Sequence, residues 1–467
     1  MRYLRDDYLG YLLGFVLFVS CSHEQDKKQR TSSINLRQQY VKTNKFLDVD
    51  MSKFLPGTQT QASVTAEDSA QMFVALYCST NGRPAHPIRL MCGLLILKHL
   101  RNVSDETVVL QWGENAYYQY FCGQLEFTPK EPCDASDLVH FRKRIGEKGM
   151  EIILAESIRV NTDKDDEDHF DTAFIDSTVQ QKNITYPTDA KLHKKIIKNV
   201  LKIVHDKSLP LRQSYTRTLK GIYRAQRFRN HPKNRKKALK ADRQLKTIAG
   251  RLVRELERNL EGRNGYEKMF ELYYKVLSQN RKSKNKIYSL HEPDVVCISK
   301  GKEHKKYEFG NKVSILRSWS GLILGACSFR NEYDGHTIQK TLEQTQRMTG
   351  KHINNLAADR GYRGVKQIGD TKILIPGVPK AKDTYYQKRK KHKLFCKRAG
   401  IEPTIGHLKE DYRLSRNFYK GVKGDAINLL LAAAAYNFKR AMRVLLWLIR
   451  KISVNFAFTN FTLKYCF

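Results

Sequence analysis

From Tyr307 to Asp359 the chain reads YEFGNKVSILRSWSGLILGACSFRNEYDGHTIQKTLEQTQRMTGKHINNLAAD. Tyr307 to Ser318 and Gly321 to Ser328 are apolar, β-branched runs joined by Trp319-Ser320, and they read as consecutive strands. Asp334-Gly335-His336-Thr337 has the composition of a turn and opens a helix from Ile338 to Met348. Asn355-Leu356-Ala357-Ala358-Asp359 reads as a further strand, ended by Arg360-Gly361-Tyr362-Arg363-Gly364. Lys372-Ile373-Leu374-Ile375 is another, stopped by Pro376. A basic linker follows, then a helical stretch from about Phe395 through Ala432 to Ala435. Strand, strand, helix, strand, strand, helices is a mixed α/β order. The earlier run Phe174-Ile175-Asp176-Ser177-Thr178-Val179 has the length and composition of one more strand in the same sheet.

Upstream of this block the character changes. Residues 191–290 hold 29 Lys and Arg against 7 Asp and Glu, an excess of +22. The whole chain of 467 residues carries 84 basic and 47 acidic side chains, or +37, so more than half of the excess lies in this one segment. Charge of that size repels itself unless a polyanion neutralises it. Nucleic acid is the leading partner and an anionic membrane surface the second. Hydrophobic residues make up 41%, enough to exclude wholesale disorder. Ala241, Leu245, Ile248, Leu252, Leu256 and Leu260 recur at helical spacing with basic residues between them. The stripe is expected to be core or a helix-pairing face. The basic face, with Lys236, Lys237 and Arg243, is expected to meet phosphates.

Nearer the start, Ile88, Met91, Leu94, Leu95 and Leu97 mark a helix opened at Pro87. Ser104 is placed to cap a second helix, and Ser136-Asp137 begins a third that carries Phe141, Arg142, Arg144 and Ile145. Arg142 and Arg144 are candidates for DNA contact. Leu9 to Ser20 is leader-like and ends at Cys21, but Asp6 and Asp7 precede it where positive charge is expected. The reading preferred is an artefact of the assigned start. The apolar run is shorter than the about 20 residues a membrane span needs. The nine cysteines are irregularly spaced with no C-x-x-C pair, which fits a reducing cytoplasm and no zinc site.

Asp176 and Asp359 fall at or near strand ends, and Glu402 lies in a basic, partly helical segment. Singly, such residues are ordinary turn formers or helix caps. Gathered together they would raise one another's pKa, a repulsion that a divalent cation relieves. Carboxylate oxygens suit Mg²⁺, with Mn²⁺ as a substitute. Two such ions about 3.5–4 Å apart serve phosphodiester cleavage and transesterification. Phe395, Arg398, Glu402 and Lys409 are spaced to share one helical face, where Arg398 and Lys409 could hold DNA phosphates. Pro403 disfavours helical backbone at Glu402, which therefore stands either just before a helix or within its start. His304, His336 and His407 lack Cys partners at ligand spacing and read as structural, with His336 the one to test for a secondary role. Gly361 and Gly364 make no phosphate loop, and no organic cofactor is implied.

Taken together, these blocks resemble the bacterial insertion-sequence transposases with an Asp-Asp-Glu triad. Asp176 to Ile184, continued by Tyr186-Pro187-Thr188-Asp189, looks like the family's first-Asp block. Ala358 to Gly364 looks like the second, and Ile401 to Lys409 like the Glu block, with Phe395 where the family usually has Tyr. Gly82 through Gly146 is similar to the family's helical N-terminal domain, including Tyr118 to Gly123 and Phe141 to Gly146. The likeness spans roughly residues 75–440. It implies an α/β fold, a ribonuclease-H-like mixed sheet flanked by helices, formed by residues 165–190 and 287–440. An all-α, DNA-binding domain at 75–150, a basic helical insertion at 191–286, an unassigned extension at 1–74 (leader-like at 8–21) and a tail at 441–467 complete the expected layout. Asp176, Asp359 and Glu402 would be the catalytic and Mg²⁺-binding residues. The expected activity is binding of terminal inverted repeats, cleavage at the element ends and joining of 3′ ends to target DNA. The expected assembly is at least a homodimer, in the cytoplasm with the nucleoid and without a membrane. The alternatives are an inactive, decayed copy that keeps only DNA binding, and an exported lipoprotein processed at Cys21.

Overall fold

The computed structural model describes residues 85–162, 168–260, 265–280, 282–299, 306–330, 332, 334–362, 366–375 and 382–464. The leader-like run, Cys21 and His304 lie outside them. The chain forms two compact units. The first takes the described residues up to Gln180, then Lys312–Tyr419 and Lys423 onward; the second takes Gln181–Asn311 and Lys420–Val422.

Among the described residues the first unit begins with four helices. Pro87, whose missing N–H is harmless at a helix start, precedes α1 (Ile88–Leu100). Ser104 accepts from Thr107 N at 3.1 Å and caps α2 (Asp105–Glu114), as its sequence position suggests. Asn115 caps α3 (Ala116–Phe121). The cap of α4 (Ala135–Arg159) is Asp134, in a reciprocal capping box with Asp137, two residues before the expected start. These helices share a core with the sheet. Leu94, Trp112, Leu138, Phe141 and Ile153 belong to one continuous core with Ile175, Ile315, Leu324, Leu356 and Leu430. Polar contacts reinforce this: Glu151 of α4 accepts from Gln344 at 2.9 Å and from Arg347 at 2.8 Å.

Arg142 is a correction to the sequence reading. Its guanidinium is buried, donates to both oxygens of Asp105 at 2.7 and 2.8 Å, and lies 4.4 Å from the centre of the Tyr419 ring. Lys98 joins the same carboxylate at 2.8 Å. Burial alone would raise the Asp105 pKa, but Arg142 and Lys98 together hold it below the usual range. Arg142 is an internal counter-ion, not a DNA contact; Arg144, two residues on, is exposed.

The strands are β1 (Thr172–Lys182), β2 (Val296–Ser299), β3 (Tyr307–Ser318), β4 (Ile323–Phe329), β5 (Asn355–Ala357), β6 (Gln367–Ile368), β7 (Thr371–Leu374) and β8 (Arg416–Asn417). In the first unit they run in the order β4-β3-β1-β5-β7-β6, with β8 also beside β1. β1, β5 and β7 are parallel, in the register Phe174↔Ala357 and Ala357↔Leu374, while β3 and β4 are antiparallel. The result is a mixed sheet flanked by helices. Sequence order alone does not reveal β6, a two-residue strand hairpinned onto β7. The helix after β4 takes in the expected turn residues and runs from Asp334 to Thr349.

In the second unit, α5 (Asp189–Asp206), α6 (Thr216–Ala225), α7 (Pro232–Asn259) and α8 (Glu267–Ser278) close around their own core. The stripe Ala241, Leu245, Ile248, Leu252 and Leu256 of α7 is buried there, whereas Lys236, Lys237 and Arg243 are exposed. This unit runs past both ends of the expected insertion, because the end of β1 and the β2–β3 pair belong to it.

The helix Asp334–Thr349 is α9, and two shorter ones follow: α10 (Tyr385–Ala399) and α11 (Ile401–Glu410). The expected linker is therefore helical ten residues before Phe395. Its start is fixed by a capping box of Thr384 and Gln387. Finally α12 (Gly421–Lys464) runs straight through residue 441, where a tail was expected to begin. No Gly or Pro occurs between Asp425 and Lys464 to stop it. Among the described residues no helix is long and apolar enough to cross a membrane.

Candidate active site

Phe174, Ala357 and Ile401 form a small buried cluster of their own, with Trp319, Leu374, Leu394 and Ile405 packed around it. Each of the first three lies one or two residues before a carboxylate: Asp176, Asp359 and Glu402. In an extended chain, residues two apart point to the same face. Continuing the Phe174↔Ala357 register by two sets Asp176 level with Asp359 at the carboxyl end of β5. Glu402 enters from α11, in its first turn. Pro403 follows at a position where a missing N–H is tolerated, so Glu402 is helical after all.

The three carboxylates converge on one guanidinium. Arg398 Nη2 lies 3.2 Å from Asp176 Oδ2 and 3.7 Å from Asp359 Oδ2, and its Nη1 lies 3.6 Å from Glu402 Oε1. Arg398 and Glu402 are four residues apart across Gly400, which keeps right-handed helical dihedrals, so helical spacing survives the junction of α10 and α11. Asp176 also accepts from Ser177 N at 2.8 Å. Burial raises its pKa; the Ser177 N–H and Arg398 oppose that, and Asp359 and Glu402 add to it. Lys409 is half-buried further along α11.

Sequence reasoning missed the basic rim of this site. Trp319 packs on Phe174 with ring centres 5.7 Å apart. Lys393 and Lys397 of α10 stand 5.5 and 5.1 Å from the Trp319 ring centre. A Trp at the joint of two strands, with a basic run of no apolar period further on, was the available signal. Of the other expected residues, Lys236, Lys237 and Arg243 are in the second unit, Arg144 is on exposed α4 surface and His336 is exposed on the helix from Asp334.

The donor chemistry suits a hard divalent cation: three carboxylates drawn to one point, with a cation already at that point. Among the described residues no three His, Cys, Asp or Glu side chains are gathered tightly enough to hold a metal ion as they stand. Arg398 is what occupies the centre.

Two family models match the chain. One is described as Transposase domain (DUF772), over residues 51–144, and begins well before residue 75, where a likeness was first expected. The other is described as Transposase DDE domain, over residues 289–438, and takes in Asp359, Arg398, Glu402 and Lys409. An uncharacterized protein, ORF8 in the nfe locus of Rhizobium meliloti, is 41% identical over 150 residues, which is 32% of this chain and 72% of that protein. No solved structure matches the chain.

Proposed function

The chain belongs to the insertion-sequence DDE transposases, and from that premise we propose that it cuts the ends of its element and joins them to target DNA. In this reading it binds the terminal inverted repeats, hydrolyses a phosphodiester bond at each end and transfers the freed 3′-hydroxyl to a target phosphodiester. The observation that carries the reading is the convergence of Asp176, Asp359 and Glu402 on one cation. The strand order β4-β3-β1-β5-β7 supports a ribonuclease-H-like catalytic unit. So does the position of Asp359, two residues past the carboxyl end of β5, since ligands of open α/β sheets sit at the carboxyl ends of parallel strands.

Asp176, Asp359 and Glu402 would hold the divalent ions, Mg²⁺ in the first instance. When bound, these ions activate the attacking oxygen and stabilise the leaving one. The rest falls to the chain. The Phe174–Ala357–Ile401 cluster fixes the three carboxylates relative to one another. Arg398 of α10, once released from them, would hold a DNA phosphate beside the reacting bond, and Lys409 of α11 offers a second positive charge. Arg144, Lys236, Lys237 and Arg243 are assigned to phosphates farther along the duplex. Two element ends must be joined in one event, which calls for at least two copies of the chain, acting on DNA in the cytoplasm.

A decayed copy would keep salt-sensitive DNA binding but cleave under no conditions; the presence of all three carboxylates weighs against it. The test is a strand-transfer assay on a duplex carrying the element end, with Mg²⁺, with Mn²⁺ and with EDTA. Joined products are expected with either ion and none in EDTA. Joining that persists in EDTA would sink the metal-dependent reading.

A further inference from the structure

The last residues of β3 and the middle of α12 contribute two arginines that the proposed chemistry does not use. Arg317 is largely buried, and its Nε and Nη1 are shielded from solvent without a hydrogen-bond partner among the described residues. Its Nη2 and Arg440 Nη1 flank Gly321. A Cβ built there would lie 3.0 Å from each, so the two nitrogens stand no farther apart than twice that distance. Gly321 has φ +101°, a conformation that side chains rarely adopt, so the turn between β3 and β4 leaves this space clear. On its other side the Arg317 guanidinium lies against Gly400: a Cβ there would meet Nη1 at 3.3 Å and Nη2 at 3.5 Å. Gly400 is the junction between Arg398 and Glu402, so the arginine pair adjoins the carboxylate site. Arg440 spends one donor on the Ser320 carbonyl at 2.6 Å and has others to offer.

Two like charges held this close, one of them largely out of water, cost stability unless an anion joins them. Burial lowers the Arg317 pKa, Tyr436 opposes that and Arg440 adds to it. Planar guanidinium forks match the oxygens of a phosphate.

We propose that Arg317 and Arg440 form a phosphate-binding site next to the carboxylate triad. The group it takes is a tetrahedral phosphate oxyanion, supplied either by a phosphodiester of the DNA strand entering the site or by a free phosphate compound. The first source rests on the transposase reading above; the site itself does not. A phosphodiester held here is anchored from the β3–β4 turn and from α12, independently of Arg398, and fixes the strand's register before the carboxylates act.

The experiment uses the full-length protein, with Arg317→Gln and Arg440→Gln as variants. Melting temperatures are measured in inorganic phosphate and in chloride at matched ionic strength. Phosphate is expected to raise the wild-type melting temperature, and each variant to lose most of that rise. In chloride, Arg317→Gln should melt no lower than wild type, because it removes an uncompensated charge; a merely structural arginine would give a drop. Binding to an element-end duplex is then followed over a range of salt. A slope of log K against log salt that is shallower by about one in Arg317→Gln assigns the site to a DNA phosphodiester. An unchanged slope, with the phosphate response still lost, assigns it to a free phosphate compound. No phosphate effect on the wild type, or an equal effect on Arg317→Gln, overturns the proposal. Strand transfer is a separate readout, so the catalytic reading and this site can each fail alone.

Discussion

Arg398 is shared among three carboxylates whose side chains are 19%, 50% and 64% exposed, and this sharing decides what its loss should do. In metal-free protein, Arg398→Gln leaves the triad without a counter-charge. We expect a loss of about 1–2 kcal/mol, at the low end for charged hydrogen bonds because solvent screens the two outer carboxylates. The sign with pH follows from Asp176. Its folded-state pKa is raised, so the unpaired triad is most costly when Asp176 is ionised, and the gap between variant and wild type should close as pH falls and the carboxyls protonate. Mg²⁺ should raise the melting temperature of the variant more than that of the wild type. Denaturant melts across pH, with and without Mg²⁺, check this; equal stability of the two proteins at every pH would remove Arg398 as the counter-ion. The triad was proposed from three blocks that resemble the family, although Asp176, expected near a strand end, lies in the middle of β1 and Glu402 in the first turn of α11. The role of Arg142 was not legible in the sequence. Next to exposed Arg144 it reads as another DNA contact, and only the fold brings Asp105, 37 residues away, against it.

At the scale of elements, the triad is held by packing rather than by bonds between its members. Phe174 of β1, fully buried against Ala357 of β5 and Ile401 of α11, sits at the meeting point of the three segments that carry the carboxylates. Phe174→Ala should cost about 3–5 kcal/mol, as large-to-small core changes do, and reduce strand transfer even where the protein remains folded. Phe174→Leu should cost less on both counts. Denaturant midpoints and strand transfer on the same preparations measure it, and a loss below about 1 kcal/mol for the alanine variant would show that the cluster does not hold the site. The strands of this region were readable from their apolar runs, except β6, which is too short to leave a pattern. The part of α10 before Phe395 was read as a linker because none of its residues is buried, so no apolar period marks it. Its capping box and its freedom from Gly and Pro before Gly400 were the signals present.

For the whole molecule, the sequence pointed to five segments and the fold makes two compact units. The N-terminal helices could not be seen to share a core with the sheet, since helical periodicity shows which face is apolar but not what covers it. The same limit hid the continuation of α12 past residue 441. The basic segment, by contrast, was legible as a unit: its excess of charge and the α7 stripe are local properties, and the stripe is indeed buried within it. The +37 charge by itself named only a polyanion; the carboxylates gave it a chemistry. That chemistry is tested most directly by Asp359→Asn, a change that keeps the shape of the side chain and removes its negative charge. Strand transfer and DNA binding should be measured on the same protein in Mg²⁺. Duplex binding should stay within about twofold of wild type, and strand transfer should be lower by about a thousandfold, the equivalent of about 4 kcal/mol of lost transition-state stabilisation. Strand transfer equal to wild type would contradict that chemistry.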